Sequence, residues 1–482
     1  MAVDYDLVIV GSSQVGIYAA SIAAKLKARV ALVTQTDRKY LPNDILINCS
    51  LEQINNFDRA ISRDILDFLQ KNFNSILKEA TASWIDRLNN SVNSLNSLAN
   101  LAALGVDTIS GQGEFYRLPE LGFQVKQRKL RSRRFLLATG SNFNLDFLDN
   151  QTWQSCLTLR DLNRKNLVDL PQELIIIGSD PISLALAQIL AKLGKNITLA
   201  IKDPDILPHE DKEISNLVRT ELEVVGVKVF TNSTVSQIKI IDGQKWLQAG
   251  DLAMTADEII IADYREPNIK NLNLKGVGVK YDNRRVFVDR KLTTTNPKIY
   301  ACGDMIGGYT LGNIARYEAN IVLKNTLFFP WYKTNYHTIP WAVSTQPNLA
   351  RVGLTEIEAK RQSSGKLYVI RQYFNQTAQG QINDSNPGLF KLLISDRGTI
   401  LGCSIVGDCA TELITIPAYM MQHKIKLDSN PMRGLTSIAI PTIYPSLAAI
   451  FELAIANYYQ QKIQDNPQLI NRLQTWFSLR KN

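Results

Sequence analysis

The chain has 482 residues, of which 45% are hydrophobic and 21% charged, and its formal net charge is +9 at pH 7. This composition fits a soluble globular protein with about three domains. Five cysteines without a CxxC pair, and three histidines away from any cysteine pair, exclude a disulfide framework and a recognisable metal site. Because the chain has no apolar run of about 18 residues and no basic N-terminal region, we expect no membrane span and no signal peptide. The cysteine pattern favours a reducing, cytoplasmic location.

The chain opens with a strand–helix–strand pattern over residues 4–35, which predicts a parallel βαβ unit. Its turn carries Gly11, Ser13 and Gly16 at the spacing of a dinucleotide-binding fingerprint. The first glycine permits a tight turn, a small middle residue lets the backbone approach a pyrophosphate, and the third position lets the helix pack closely. Thr34 stands where an acidic residue usually holds the ribose. The motif has low specificity when taken alone.

The middle of this half of the chain contains helical and β-type segments. Residues 51–104 are predicted to be helical, and a β-rich segment follows. The basic cluster at residues 126–134 is interpreted as a solvated β-hairpin rather than a nucleic-acid or membrane patch. No nucleic-acid partner is therefore expected. The next strand is expected to run to Ser141.

Residues 173–202 repeat the strand–helix–strand pattern, with fingerprint positions occupied by Gly178, Asp180 and Ser183. A carboxylate at Asp180 opposes a pyrophosphate, since two unit charges 4 Å apart repel by about 1 kcal/mol in water and about 4 kcal/mol at a dielectric of about 20. Ile201 replaces the ribose-binding acid. Lys202 follows it and could favour a 2′-phosphate. Alternatively, Asp180 could point to solvent or pair with Lys202, and either arrangement would leave a usable site. The sequence predicts a retained fold with a weak or lost NAD(P) site.

Two further segments have the form of a strand whose C-terminal end lies against a bound FAD. They are LLATGS at residues 136–141 and YACGD at residues 300–304. In the order and spacing of these motifs the chain resembles the class I pyridine nucleotide–disulfide oxidoreductases, such as dihydrolipoamide dehydrogenase, mercuric reductase and glutathione reductase. The resemblance runs nearly end to end, through the motifs at residues 265–268, 339–340, 352–355 and 402–414.

The resemblance implies an α/β fold with two Rossmann-type dinucleotide-binding domains and a C-terminal α+β dimerisation domain. It assigns residues 1–150 and 270–338 to an FAD domain, residues 151–269 to an NAD(P)-type domain, and residues 339–482 to the dimerisation domain with an extra helix. A homodimer through residues from about Pro340 onward is implied. Asp304 is expected to bind the ribitol–phosphate part of FAD. The full set of implied FAD-binding residues is Gly11, Ser13, Gly16, Thr34, Ala138, Thr139, Gly140, Gly303 and Asp304.

The chain departs from this family where the dithiol chemistry belongs. Ile45 and Ser50 occupy the positions of the two redox cysteines. Cys49 is one position away, which turns a helical side chain by about 100°, and we interpret it as a buried small hydrophobe. Ile54 replaces the lysine expected beside the flavin. A lone thiol cannot act as a two-electron disulfide.

The C-terminal acid–base motif has also changed. Tyr444 and Ala449 occupy the positions of the family's histidine and glutamate. Tyrosine, with a reference pKa of about 10, is a poor base near neutral pH. No catalytic residue of the dithiol reaction is therefore assigned, and disulfide-reductase activity is predicted to be absent.

A last helix is predicted after Ile463, capped by Asp465 or Asn466, with Pro467 in its first turn. Its apolar stripe comprises Leu469, Ile470, Leu473, Trp476, Phe477 and Leu479. We interpret the stripe as packing on the same chain or on a dimer mate. Contact with a membrane or another protein is the alternative.

Two functions remain open. The first is an FAD flavoprotein that passes electrons directly from NAD(P)H or another reductant to an acceptor such as a quinone or oxygen. The second is a catalytically inactive dimer that serves as a nucleotide-binding scaffold or sensor. The resemblance favours FAD as the cofactor, whereas use of NAD(P)H is doubtful.

Overall fold

The computed structural model describes residues 3–35, 97–146, 148, 151–162, 167–308, 310–363, 365–383, 388–428, 430–432 and 440–480. The chain divides into two compact units, the first made of Met1–Pro204 with Val225–Thr334 and the second of Asp205–Val224 with Asn335–Asn482. Ile45, Cys49, Ser50 and Ile54 lie outside the described residues. What the sequence predicts for these positions, and for most of the helical stretch 51–104, stays a prediction.

The first unit contains two parallel sheets and several small antiparallel ones. Its strands are β1 (Tyr5–Val10), β2 (Val30–Thr34), β3 (Asp107–Ser110), β4 (Gly113–Tyr116), β5 (Gly122–Val125), β6 (Arg128–Leu130), β7 (Ser132–Leu137), β8 (Ser141–Phe143), β9 (Leu157–Thr158), β10 (Glu173–Ile177), β11 (Asn196–Ala200), β12 (Lys228–Phe230), β13 (Val235–Ile241), β14 (Gln244–Ala249), β15 (Leu252–Ala256), β16 (Glu258–Ile261), β17 (Arg265–Pro267) and β18 (Ile299–Ala301). Its helices are α1 (Gln14–Lys25), α2 (Leu98–Ala103), α3 (Leu159–Leu162), α4 (Pro181–Lys192) and α6 (Gly312–Leu327).

The first parallel sheet has the strand order β18-β7-β1-β2-β3, with β1 parallel to both β2 and β7. Strand β2 is completely buried, and β1 and β7 are buried over their apolar C-terminal halves, as expected in a sheet covered on both faces. Helix α1 packs on this sheet through small residues, Ala19, Ala20, Ala23 and Ala24. The predicted first βαβ unit is confirmed, and the carboxyl ends of its strands meet at one edge.

The second parallel sheet has the order β12-β11-β10-β16-β9, with β10 parallel to β11 and β16. The second predicted βαβ unit is therefore also confirmed. Helix α4 is buried from Pro181 to Leu190, which explains its lack of charged residues over that length. The antiparallel sheet β13-β14-β15 adds Ile238 and Leu247 to the core beneath this Rossmann unit.

The basic cluster at residues 126–134 forms the β5–β6 hairpin and the start of β7, as predicted. Two of its arginines pair with acids of the same unit: Arg128 lies 2.6 Å from Asp107 and Arg131 lies 3.0 Å from Asp4. Strand β7 ends at Leu137, so the expected extension to Ser141 is wrong. Gly140, with φ +71, breaks the strand before β8 begins.

The second unit is an antiparallel sheet with helices packed on it. Its strands are β19 (Trp341–Val343), β20 (Asn348–Gly353), β21 (Leu367–Tyr373), β22 (Leu389–Ser395) and β23 (Ile400–Gly407), in the order β19-β20-β23-β22-β21. Its helices are α5 (Lys212–Val224), α7 (Glu356–Gln362), α8 (Ala378–Ile382), α9 (Ala410–Leu413), α10 (Thr415–Gln422), α11 (Ala449–Gln464) and α12 (Pro467–Leu479). Helix α11 buries Phe451, Tyr458 and Tyr459 against this sheet, with the Phe451 ring 4.8 Å from that of Phe390.

Helix α12 is capped by Asn466, whose side chain accepts a hydrogen bond from the N–H of Leu469. Asp465, the other candidate cap, pairs instead with Lys366 at 2.5 Å. No residue of α12 is buried, so its apolar stripe is only partly covered within the chain. Among the described residues, no helix is long and apolar enough to cross a bilayer.

Candidate functional site

The glycine turn before α1 is built by close backbone contact. Gly11 has φ +113, and a Cβ there would lie 2.4 Å from the carbonyl oxygen of Ala138. A Cβ on Gly16 would lie 2.2 Å from the carbonyl oxygen of Gly11. Ser13 caps the helix: its Oγ accepts from the N–H of Gly16 at 3.3 Å and donates to the carbonyl of Ala138 at 2.6 Å. The structure thus brings Gly11, Ser13, Gly16 and Ala138 together at the N-terminus of α1.

The end of β2 offers no negative charge at Thr34. This side chain is buried, and its hydroxyl donates to Ser110 Oγ at 3.0 Å. The first turn of α1 also lacks an acidic residue. The positive end of the helix dipole at α1 therefore meets no carboxylate from either position, an arrangement that favours a bound phosphate.

Gly140 lies in the short loop that joins β7 to β8. Apart from its chain neighbours, no atom of the described residues lies within 4 Å of where its Cβ would be, and its carbonyl accepts from the N–H of Asn268 at 2.9 Å. Thr139 is buried and its hydroxyl contacts the Met305 sulfur at 3.8 Å. The loop is thus held by its contacts with Asn268 and Met305 and is open at Gly140, as a loop facing a ligand requires.

The turn after β18 presents Asp304. The N–H of Gly303 donates to the buried carboxylate of Glu318 at 2.7 Å, which fixes the turn. The Asp304 side chain is 30% exposed and lies 3.7 Å from Arg265, beyond hydrogen-bond distance. Nε and Nη2 of Arg265 are buried without a hydrogen-bond partner among the described residues. Asp304 is therefore placed to accept hydrogen bonds from a ligand.

These residues fit FAD. A helix N-terminus free of acids suits the pyrophosphate, the space at Gly140 admits a ligand beside the backbone, and Asp304 can accept from ribitol hydroxyls. The roles of Glu318 and Arg265 were missed by the sequence reasoning. Glu318 lies on α6, and neither position carries a local signal of what it contacts across the fold.

The second glycine turn is altered in its geometry as well as in its sequence. Gly178 has φ +154, and its Cβ position lies 2.9 Å from Ser183 Oγ. Ser183 is fully buried and its hydroxyl bonds to the carbonyl of Asp180 at 2.9 Å. Asp180 is the N-cap residue of α4 but its side chain makes no capping hydrogen bond. The Ser183 hydroxyl thus takes up space within the turn where a glycine would leave room.

The charge of Asp180 depends on several neighbours. The pKa of its carboxyl is raised to about 6, mainly by burial and also by Asp263 and Asp304, against the lowering effect of Arg265 and Lys202. The carboxyl is therefore mostly ionised at neutral pH and mostly protonated near pH 5. A negative charge remains at the end of α4 under ordinary conditions.

Lys202 does not neutralise Asp180 by direct pairing. Its Nζ lies 2.8 Å from Asp263, so the predicted alternative of an Asp180–Lys202 pair is wrong. The sequence reasoning also missed Asp203, whose carboxylate accepts a hydrogen bond from Ser179 Oγ at 3.0 Å. Asp203 lies three residues after β11, too far along the chain to be recognised as an acid at the strand end.

Dinucleotide affinity should depend on pH through Asp180. We expect NAD⁺, which is stable in acid and has no 2′-phosphate that titrates, to bind at least about tenfold more weakly at about pH 8 than at about pH 5, because the ionised carboxylate repels the pyrophosphate. Isothermal titration calorimetry measures this directly. Asp180→Asn, which keeps the shape without the charge, should bind equally at both pH values. A pH dependence retained in that variant would contradict the assignment.

Tyr444 and Ala449 belong to the second unit. The Tyr444 side chain is 82% exposed and Ala449 is the first residue of α11. An alanine has no group that could orient or ionise a neighbouring tyrosine. Neither position supplies the acid–base pair.

The thiols of the described residues are not arranged as replacements. Cys156, Cys302 and Cys403 are buried free thiols, and Cys409 is exposed. Burial raises the thiol pKa of Cys156 to about 11 and raises those of Cys302 and Cys403 well above the usual range. Since the thiolate is the reactive form, these three thiols are unreactive near neutral pH.

Comparisons with known proteins agree with this architecture. The profile described as pyridine nucleotide-disulphide oxidoreductase matches residues 5–319, and that of the dimerisation domain of the same group matches residues 339–446. A mercuric reductase of Bacillus cereus is 26% identical over 447 residues, covering 85% of this chain and 66% of the relative. The probable pyridine nucleotide-disulfide oxidoreductase RclA of Escherichia coli is 26% identical over 434 residues, covering 86% of this chain and 92% of the relative. The solved Cu(II) complex of HOCl-induced flavoprotein disulfide reductase RclA from Escherichia coli superimposes with a TM-score of 0.76 at 23% identity, covering 95% of this chain and 100% of that one.

Proposed function

The chain belongs to the pyridine nucleotide-disulphide oxidoreductase family, and from this premise we propose that it is an FAD-binding flavoprotein that cannot carry out dithiol–disulfide chemistry. The observation that carries the proposal is a contrast. The turn that receives the pyrophosphate in this fold is held by a hydrogen bond from Ser13 Oγ to the carbonyl oxygen of Ala138, at 2.6 Å. The positions that move protons and thiols in the family hold Tyr444, Ala449, Ile45 and Ser50 instead.

The residues at the first glycine turn support the role of FAD. The N–H groups at the start of α1 would hold the pyrophosphate, and Asp304 would accept from the ribitol hydroxyls. When bound, FAD supplies two-electron transfer. Glu318 keeps the Asp304 turn in place through the N–H of Gly303, and Arg265 places a positive charge 3.7 Å from Asp304.

Asp304→Ala should weaken FAD binding by about tenfold or more, since a hydrogen bond to a charged group contributes about 1.5–3 kcal/mol. Wild-type protein should release close to one FAD per chain on denaturation. The affinity is measured by adding FAD to flavin-free protein and following the quenching of flavin fluorescence. Asp251→Ala, an exposed acid in the β14–β15 turn, is the control and should have no effect. Absence of flavin from the wild type, or unchanged affinity of Asp304→Ala, would count against the site.

We propose that the electron path in this protein runs from a reductant to the flavin and then to an acceptor without a protein disulfide. The acceptor is a small oxidant such as a quinone or oxygen. We expect NAD(P)H to be a poor donor, because Asp180 and Ser183 oppose its pyrophosphate at the second glycine turn. This same observation favours the second candidate function, an inactive nucleotide-binding scaffold or sensor. Rapid reduction of the flavin by excess NADPH in a stopped-flow experiment would support the electron-transfer function, and its absence would exclude NADPH as the donor.

We also propose the domain boundaries at residues 150, 269 and 338, a cytoplasmic location, and a homodimer through residues from about Pro340 onward. The dimerisation-domain match over residues 339–446 supports the dimer. Light scattering at micromolar concentration should give twice the chain mass of 54.1 kDa. A single-chain mass would contradict the dimer. The partly covered stripe of α12 is proposed to pack on the dimer mate.

A further inference from the structure

An exposed aromatic segment follows α6 in the first unit. Residues 328–333, with the sequence FFPWYK, are all exposed and are here called the aromatic loop. Phe328 and Phe329 are each 59% exposed, Trp331 71% and Tyr332 45%. The rings of Phe329 and Trp331 stack with their centroids 4.8 Å apart. So many large apolar groups in successive exposed positions mark an interaction surface rather than scattered surface residues.

The aromatic loop is anchored to the fold. Asn325 is buried, and its side-chain amide donates to the carbonyl of Tyr332 at 2.8 Å and to that of Lys291 at 3.0 Å. The same side chain accepts from the N–H of Tyr332 at 3.0 Å. After the loop, the N–H of Thr334 donates to the carbonyl of Arg290 at 2.7 Å. Both ends are therefore fixed, and the aromatic rings are presented to solvent by a defined backbone.

The charged side chains around the aromatic loop are mainly basic. No aspartate or glutamate occurs from Ala319 to Thr355. Lys324 and Lys333 flank the rings, and the Lys324 ammonium lies 4.9 Å from the ring centre of Tyr332. Arg290 and Lys291 add positive charge beside the anchor, and the nearby Asp289 carboxylate accepts from the backbone N–H of Lys291 and Thr293.

From these observations we propose that the aromatic loop binds the surface of an anionic lipid bilayer. Tryptophan and tyrosine rings favour the interface between headgroups and acyl chains, and lysines beside them are attracted to anionic headgroups. A stable protein interface needs about 20–30 residues on each side, far more than this loop supplies. A bilayer selects for apolar and cationic character without a matched shape, which is the chemistry the loop presents.

Vesicle co-sedimentation tests the proposal on the full-length protein. Wild-type protein should bind vesicles of phosphatidylcholine mixed with phosphatidylserine, more strongly than vesicles of phosphatidylcholine alone, and added salt should weaken the binding. Phe329→Ser with Trp331→Ser should raise the lipid concentration for half-binding by about tenfold or more. Ile357→Ser with Ile382→Ser is the matched control, since these side chains are 59% and 68% exposed elsewhere. It should bind like the wild type, and circular dichroism verifies that each variant folds.

Other occupants give different results in the same experiments. Lys324→Gln with Lys333→Gln should lose the preference for phosphatidylserine while retaining the fold. The proposal is overturned if wild-type protein ignores phosphatidylserine vesicles, or if Phe329→Ser with Trp331→Ser binds unchanged. It is also overturned if that aromatic pair of substitutions converts a dimer to a folded monomer, because the loop would then contact a second copy. Loss of binding only in Trp476→Ser with Phe477→Ser would assign the lipid contact to α12 instead.

Discussion

No turnover of lipoamide, glutathione disulfide or mercuric ion is expected from the purified protein, whichever reduced nicotinamide is supplied. The reason we propose is the coincident loss of both halves of the reaction. Ile45 and Ser50 stand where the resemblance places the dithiol, and Tyr444 and Ala449 stand where it places the acid–base pair that serves it. A single thiol cannot store two electrons as an intramolecular disulfide, and a tyrosine with a reference pKa of about 10 is a poor base near neutral pH. Spectrophotometric assays of nicotinamide oxidation with each substrate check this result.

Two sets of variants sharpen the assay. Installing the cysteines alone, through Ile45→Cys and Ser50→Cys, should not give reductase turnover, and neither should Tyr444→His with Ala449→Glu alone. Robust turnover by the unmodified protein would contradict the prediction. Turnover that disappears in Cys49→Ser would further identify the neighbouring thiol as the reactive group.

Lys391→Met should be the most destabilising of the substitutions considered for the second unit. Lys391 is 2% exposed, and its ammonium lies 2.8 Å from Asp211 and 2.9 Å from Glu356, and also contacts Glu213. Arg371 bridges the two glutamates at 2.9 and 2.8 Å. Removing the ammonium leaves the buried carboxylates without their positive partner, and such a loss lowers the free energy of unfolding by about 3–5 kcal/mol. Urea unfolding of wild type and variant measures the loss.

Lys360 provides a matched control on the same carboxylate. It pairs with Glu356 at 2.6 Å, but its side chain is 62% exposed, so Lys360→Met should change the free energy of unfolding by about 0.5 kcal/mol or less. Equal effects of the two substitutions would contradict the role of burial.

The same cluster predicts sensitivity to acid. Burial raises the pKa of the Glu356 carboxyl, but hydrogen bonds from Lys360 and Lys391 outweigh it and lower the pKa to about 2. The folded-state pKa is thus below the unfolded value. The contribution of Glu356 to the free energy of unfolding is therefore complete above about pH 4.5 and is lost as the pH falls toward 2.

Both Rossmann units could be predicted from the sequence because their determinants are local. The turn at Gly11 and the helix after it follow from residue size and apolar period, and so do their counterparts at Gly178. The end of β7 was placed too late, since the apolar run continues past Leu137 while the break depends on the backbone at Gly140.

The contacts that complete the sites could not be read from spacing. Glu318 reaches the turn at Gly303 from α6, and Lys202 selects Asp263 over Asp180. Helix α5, expected in the NAD(P)-type domain, groups with the second unit, where Glu213 and Asp211 meet Lys391. Each of these depends on which side chains the fold brings together across long stretches of chain.

The central claim is that this family member has a flavin without a protein disulfide, and an anaerobic dithionite titration tests it most directly. FAD accepts two electrons, and a redox-active disulfide accepts two more. Purified protein should become fully reduced after two electrons per FAD, and Cys49→Ser should give the same endpoint. Uptake of four electrons per FAD would contradict the account, because it would require a second two-electron centre in the chain.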